Sequence, residues 1–257
     1  MKQIIITGAS RGFGKEITLK IAEEGEEVHL HLISRSSSEE TQIEAEKHGA
    51  RVTTYAQDLT EFNRLQPLMD DIFDHFESSE KSEYLGLINN AGTLHPIGPL
   101  GKYDVDDYRQ NLEINYVSPT LITHLFIQKT QNMPVEKRVI FISSGAAKKA
   151  YHGWSHYCST KAGINMLMET AALEQESMEY PVKLAAFNPG RIETDMQKLI
   201  RQQSPEDFPK VDDFIASKTD GRMGSPKQMA GVVAGLMMND DYPSGEFVKG
   251  KAVNNEQ

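Results

Sequence analysis

Tyr157 and Lys161 stand four residues apart in His156-Tyr157-Cys158-Ser159-Thr160-Lys161. On a helix that spacing puts a phenol and an ammonium on one face. Together they suit the reduction of a carbonyl. Hydride arriving at the carbonyl carbon drives negative charge onto oxygen, and that oxygen needs a proton. A phenol titrates near pKa 10. A neighbouring lysine cation favours the phenolate and is expected to draw that value towards the working range. Ser144 follows the apolar run at residues 137–143 (KRVIFIS) and supplies a hydroxyl that can hold the substrate oxygen against the phenol. Tyrosine and lysine at this spacing also share solvated helix faces, so the pair takes its meaning from what surrounds it.

A second set of residues suits a dinucleotide. Thr7-Gly8-Ala9-Ser10-Arg11-Gly12-Phe13-Gly14 follows one apolar run and opens a helical pattern. Glycines there permit a tight turn and bring backbone close to a pyrophosphate, and the helix N-terminus presents unsatisfied N–H groups. The glycine spacing is three residues and then one, unlike the dinucleotide fingerprint. A triphosphate loop is excluded, because Gly14-Lys15 is followed by Glu16 where a magnesium-binding hydroxyl is required. The next apolar run ends in Ser34-Arg35. An acidic residue at this place accepts ribose hydroxyls, whereas Arg35 suits a 2′-phosphate, with Arg11 able to help from the other side. The alternative for both is a solvated surface arginine. The expected cofactor is NADP(H). Asp58, in Ala56-Gln57-Asp58-Leu59-Thr60, either accepts a hydrogen bond from an adenine amino group or caps the following helix. In Asn89-Asn90-Ala91-Gly92 the small residues permit close cofactor packing and the asparagines can tie strand ends together.

These groups need a scaffold, and the periodicity supplies one. Apolar runs at 2–7, 27–33, 51–56, 84–90, 137–143, 182–187 and 246–249 read as strands. Helical patterns cover 14–25, 38–48, 61–76, 156–178 and 226–238, and two amphipathic helices fit 104–130. Residues 191–225 are the least regular stretch. Strands separated by helices of this length predict a doubly wound parallel sheet of Rossmann type. That is a three-layer α/β/α arrangement, in one domain spanning residues 1–257.

Composition narrows the partners. The net charge of −10 disfavours nucleic acid and anionic membranes. The lone cysteine, Cys158, cannot form an intrachain disulfide, which agrees with a reducing compartment. The apolar start runs straight into a glycine turn rather than a secretory cleavage site, and no apolar run is long enough to span a bilayer. A cytoplasmic protein is expected. His152 and His156 lack a supporting carboxylate or cysteine cluster, and no metal role is expected of them.

Thr7–Gly14, Asn89–Gly92, Ser143-Ser144, Tyr157-xxx-Lys161 and Pro189-Gly190 occur in an order that resembles the short-chain dehydrogenase/reductase family over nearly the whole chain. The resemblance implies roles for individual residues. It selects Ser144 over Ser143, because the family's active serine lies thirteen residues before its tyrosine. It makes Tyr157 the proton donor. It has Lys161 lower the phenol pKa and bind ribose hydroxyls, and it matches Asn115 to a residue that holds a helix bend and a relay water. It assigns the cofactor to Gly8, Ser10, Arg11, Gly12, Phe13, Gly14, Arg35, Asp58, Leu59, Asn90, Ala91, Gly92, Tyr157, Lys161, Pro189, Gly190, Ile192 and Thr194. Thr194 corresponds to the residue that binds the nicotinamide carboxamide.

A narrower likeness covers residues 143–163 and 188–201. There Gly153-Trp154, Cys158 and Asp195-Met196-Gln197 resemble the bacterial benzil reductases and the related sepiapterin reductases. It implies reduction of one ketone of a vicinal dicarbonyl, benzil to (S)-benzoin, or of a pterin side-chain ketone. A 3-oxoacyl or steroid-type reductase and a non-catalytic nucleotide sensor are the other readings. Tyr151 and Trp154 could wall a pocket for a flat ketone beside Ser144, or Trp154 could serve core packing alone. Met196 and Phe208 fall in the segment 191–225, expected to act as a lid. A homo-dimer or homo-tetramer built on the helices at 104–130 and 156–178 is expected.

Overall fold

The computed structural model describes residues 1–77 and 82–250. Seven strands form one parallel sheet in the order β3-β2-β1-β4-β5-β6-β7. They are β1 (Lys2–Thr7), β2 (Val28–Ser34), β3 (Arg51–Ala56), β4 (Tyr84–Asn89), β5 (Glu136–Ile142), β6 (Val182–Asn188) and β7 (Phe247–Lys249). The expected doubly wound α/β sheet is what forms.

Both faces are covered over the inner strands, which is why β1, β4 and β6 carry consecutive buried apolar residues, while the edge strand β3 is partly exposed. In β1, Ile4 and Ile6 enter one core with Ile17 and Ile21 of α1 (Gly12–Glu24) and Val233 and Met237 of α9 (Pro226–Met238). Ile5 points the other way, into a core with Ile72 of α3 (Leu65–Glu77), Phe126 of α5 (Ser118–Thr130) and Ile164 of α6 (Ser155–Gln175). The remaining helices are α2 (Glu39–Glu46), α4 (Val105–Leu112), α7 (Asp195–Arg201) and α8 (Val211–Thr219).

The chain runs from β1 outward to β3, then crosses back to lay β4 on the other side of β1. That reversal opens a crevice at the C-terminal ends of β1 and β4, the place where open α/β sheets bind ligands. Thr7 and Asn90 fix its floor. Thr7 Oγ1 accepts from the backbone N–H groups of Asn90 and Ala91, both at 3.0 Å. Asn90 Nδ2 donates back to the carbonyls of Thr7 and Gly8 at 3.0 and 3.1 Å.

Two stretches depart from the periodicity. Residues 105–130 form one continuous rod in which α4 and α5 are joined by a π-helical turn, Glu113–Val117. The π-helical turn interrupts the α-helical period, so the pattern reads as two helices. The segment 191–225 is not irregular: it contains α7 and α8. Each helix has about two turns, too few for a periodic face to stand out. Tertiary contacts hold them. Arg191 pairs with Asp213 at 2.6 Å, hydrogen-bonds Ser217 and lies 4.0 Å over the Phe214 ring.

Candidate active site

Every cofactor and pocket residue expected from the sequence lines one cavity of about 570 Å³ at the crevice. The cavity runs from the glycine turn, past Arg35 and Asp58, along Asn90–Gly92, to Ser144, Tyr157 and Lys161. It ends among Tyr151, Trp154, Met196 and Phe214. Asn115 is the one expected site residue that does not line it.

The turn at residues 8–14 is built for close approach. A Cβ on Gly14 would lie 2.2 Å from the Gly8 carbonyl oxygen, so only glycine lets the turn and the helix start meet. Arg11 is the N-cap of α1 and makes no side-chain cap bond. The first-turn N–H groups are therefore left without a side-chain cap beside the cavity, which fits a pyrophosphate. Arg35 is largely exposed at the rim, 3.9 Å from Asp58. Asp58 Oδ1 accepts from the N–H and the hydroxyl of Thr60, so it caps the following turn and lines the cavity as well. Arg11 reaches across to Asp195 at the start of α7, at 2.9 Å.

At the other end, α6 presents Tyr157 and Lys161 on one face, both buried. Lys161 Nζ donates to the Ile142 carbonyl at 2.8 Å. Burial pulls its pKa down to about 8. Burial pushes the Tyr157 phenol up to about 12, and a hydrogen bond with Ser144 opposes the rise. This differs from the expectation that lysine sets the phenol pKa low. The ammonium stands 5.7 Å from the ring centre and is itself desolvated, so burial dominates for both groups. The phenol thus keeps its proton at neutral pH, the state a donor needs.

Ser144 begins the short turn Gly145–Ala147, and its Oγ accepts from the Ala146 N–H at 3.2 Å. Ser143 is committed elsewhere, donating to Asn165 Oδ1 at 2.7 Å. Asn115 sits in the π-helical turn, 1% exposed. Its Nδ2 donates to the Thr93 carbonyl and to Asn111, and its Oδ1 accepts from the Thr93 N–H at 2.9 Å. In this structure it fastens the helix to the loop after β4. Only Gly92 separates it from Lys161: a Cβ there would meet Asn115 Oδ1 at 2.8 Å and Lys161 Nζ at 3.8 Å.

Trp154 is both wall and core. It lines the cavity, is 4% exposed, and stacks on Phe208 at 4.7 Å with 14° between the planes. Phe208 is fully buried behind it and does not line the cavity, so it backs the pocket rather than covering it. Sequence reasoning missed Leu94, Gln110, Gln197, Ile200 and Phe214 as lining residues. The likeness at Asp195-Met196-Gln197 already pointed to Gln197, and a helical assignment for 195–201 and 211–219 was the signal for Ile200 and Phe214. Among the described residues no group of three or more His, Cys, Asp or Glu is placed to hold a metal ion.

A short chain dehydrogenase family model matches residues 2–205. The chain belongs to the short chain dehydrogenase family. It is similar to the benzil reductase ((S)-benzoin forming) of Bacillus cereus, with 38% identity over 97% of this chain and 99% of that protein. It is also similar to the sepiapterin reductase of Bos taurus, with 30% identity over 95% of this chain and 92% of that one. Among solved structures, a short chain dehydrogenase/reductase from Saccharomyces cerevisiae superposes with a TM-score of 0.82 at 26% identity, covering 97% of this chain and 96% of that chain. This short chain dehydrogenase is an oxidoreductase acting on carbonyl and alcohol groups with a nicotinamide cofactor. Among the described residues no helix is long and apolar enough to cross a membrane.

Proposed function

We propose that this short chain dehydrogenase is an NADPH-dependent reductase of one ketone in a vicinal dicarbonyl, converting benzil to (S)-benzoin. The observation that carries the reading is the cavity end beyond Ser144 and Tyr157. It is walled by Tyr151, Trp154 and Phe214, aromatic rings suited to a flat aryl arm. The likeness to benzil reductases supports the same substrate class.

NADPH, when bound, supplies the hydride. The residues named for the glycine turn and the strand ends would hold it, with Arg35 facing the 2′-phosphate and Thr194 the carboxamide. The chain's own groups do the rest. Ser144 and Tyr157 hold the reacting carbonyl oxygen, and Tyr157 gives it a proton. Lys161 steadies the phenolate left behind, and Asn115 keeps the loop beside Lys161 in place. Segment 191–225 acts as the lid, with Met196 over the substrate. Only one carbonyl fits between Ser144 and Tyr157 at a time. The product carbonyl sits next to a tetrahedral carbon and no longer matches a flat pocket, so reduction halts at the hydroxyketone.

The test is NADPH consumption with benzil, followed by chiral chromatography at early times. One benzoin enantiomer in large excess is expected; a discrimination of tenfold needs only about 1.4 kcal/mol. Racemic product or rapid conversion to the diol would sink the reading. Faster turnover of a pterin ketone than of benzil would move the assignment towards that substrate. A homo-oligomer belongs to the same proposal. Val105 on α4 and Met166 and Leu173 on α6 are exposed apolar residues on the helices expected to pair. Light scattering at micromolar concentration should return a multiple of the monomer mass.

A further inference from the structure

Three consecutive residues at the exit of β5 meet three residues spaced one turn apart on α6. Ser144 lines the cavity beside the Tyr157 phenol and opposes the rise in its pKa. The Ile142 carbonyl accepts from Lys161 Nζ at 2.8 Å. Ser143 Oγ donates to Asn165 Oδ1 at 2.7 Å. Tyr157, Lys161 and Asn165 stand at i, i+4 and i+8, so they form one stripe along the helix. The first two rungs belong to the reaction described above. The third has no part in it so far.

That third rung is buried and polar. Ser143 is 4% exposed and Asn165 5%. Asn165 Nδ2 has no hydrogen-bond partner. A buried amide with one half unpaired costs stability, and an apolar side chain of similar size would avoid that cost. Its value lies in direction. The backbone N–H of Ser143 is clamped by the Phe187 carbonyl of β6 at 2.7 Å, and its side chain by α6. The backbone at Ser144 is extended, φ −155° and ψ 159°. Successive side chains of an extended chain point to opposite sides. Holding Ser143 from behind therefore sets where the Ser144 hydroxyl points.

We propose that Asn165 is a positioning residue for the reduction: through Ser143 it aims the Ser144 hydroxyl at the site of Tyr157. The inference rests on the reading of Ser144 and Tyr157 as the reacting pair. It locates the effect in turnover rather than in cofactor binding, because Asn165 does not line the cavity and Ser143, which does, spends its hydroxyl proton on Asn165.

The experiment compares Asn165→Leu, Asn165→Asp, Ser143→Ala and the double variant Asn165→Leu/Ser143→Ala, on benzil or the best dicarbonyl of a panel. The leucine keeps the branched shape of the side chain and removes both polar atoms. The aspartate keeps an oxygen acceptor in the same place. Asn165→Leu and Ser143→Ala should each lower kcat about tenfold, the effect of losing one such hydrogen bond. The dissociation constant for NADPH should stay within about twofold and Asn165→Asp should recover most of the rate, since the acceptor survives. The double variant should fall no further than either single change, because both remove one contact. Full turnover in Asn165→Leu, or losses that multiply in the double variant, would overturn the inference while Tyr157→Phe remains inactive. Turnover that survives Tyr157→Phe would instead overturn the underlying assignment of the reacting pair, and this inference with it.

Discussion

Tyr157 holds its proton because it is buried, and that fixes the sign of its pH behaviour. With the phenol pushed up to about 12, it stays protonated across the working range. The group that titrates first is Lys161, pulled down to about 8. As pH rises through that value the ammonium loses its charge and no longer steadies a phenolate. The value of kcat/KM for reduction, which reports the free enzyme, should therefore be flat below pH 8 and fall above it. Lys161→Arg, which keeps its charge, should lose that alkaline limb even if its rate is lower. Tyr157→Phe should bind NADPH normally while kcat falls by about 10² to 10⁴, the usual contribution of a positioned acid. Stopped-flow turnover beside a fluorescence titration of cofactor separates the two effects. Arg35→Ala should reduce the preference for NADPH over NADH by about tenfold or more, through loss of a charge-assisted hydrogen bond. Equal discrimination in wild type and variant would show that Arg35 is only a surface arginine.

The elements act as much by their irregularities as by their regular parts. The π-helical turn at Glu113–Val117 carries Asn115 to the loop after β4, where it makes two hydrogen bonds to Thr93, with a third to Asn111 of α4. Ser118 supports the same turn by donating to the carbonyls of Leu59 and Glu113. Asn115→Ala takes the partner from the Thr93 N–H, while the Thr93 carbonyl keeps a bond from Asn111 Nδ2 at 3.3 Å. It should destabilise the fold by about 1–3 kcal/mol, read from urea unfolding, because one backbone N–H and the Asn111 side chain lose a partner. A variant as stable as wild type would show that water replaces the side chain without cost. Helix α7 contributes differently. Its Asp195 meets Arg11 at 2.9 Å, yet both side chains are mostly exposed. Such a pair adds little to stability, so its influence is expected on the lid alone.

Across the whole molecule, acid should be the weak point. His29 and His31 lie side by side on β2, 1% and 0% exposed, with ring centres 4.1 Å apart. His29 Nε2 pairs with Thr53, and His31 pairs with Gln3 and Tyr55. Burial draws their pKa values down to about 4 and about 2. The folded protein keeps both neutral, while the unfolded chain takes up protons below about pH 6.5. Stability is full above that pH and is lost as pH falls through the window from 6.5 towards 4. The pair should lose about 4 kcal/mol between pH 7 and pH 5, at roughly 1.4 kcal/mol per unit for each group. Urea unfolding at the two values measures it, and His29→Gln should remove about half of the dependence. An unchanged midpoint at pH 5 would mean that the core opens to charge these histidines.

The parallel sheet was determined by sequence alone, because consecutive apolar residues such as Ile4, Ile5 and Ile6 face both sides of a strand and only a strand covered on two faces buries them. The glycine turn and the Tyr157–Lys161 spacing were equally local, so their contacts with the cavity followed from helix and turn geometry. Other features needed the tertiary structure. The π-helical turn depends on Ser118 and Asn115 finding partners in distant loops. The two short helices of 191–225 are held by Arg191, Asp213 and the aromatic rings beneath Trp154, not by their own periodicity. The phenol pKa was beyond the sequence for the same reason: spacing brings a lysine close, but only burial decides that desolvation outweighs its charge.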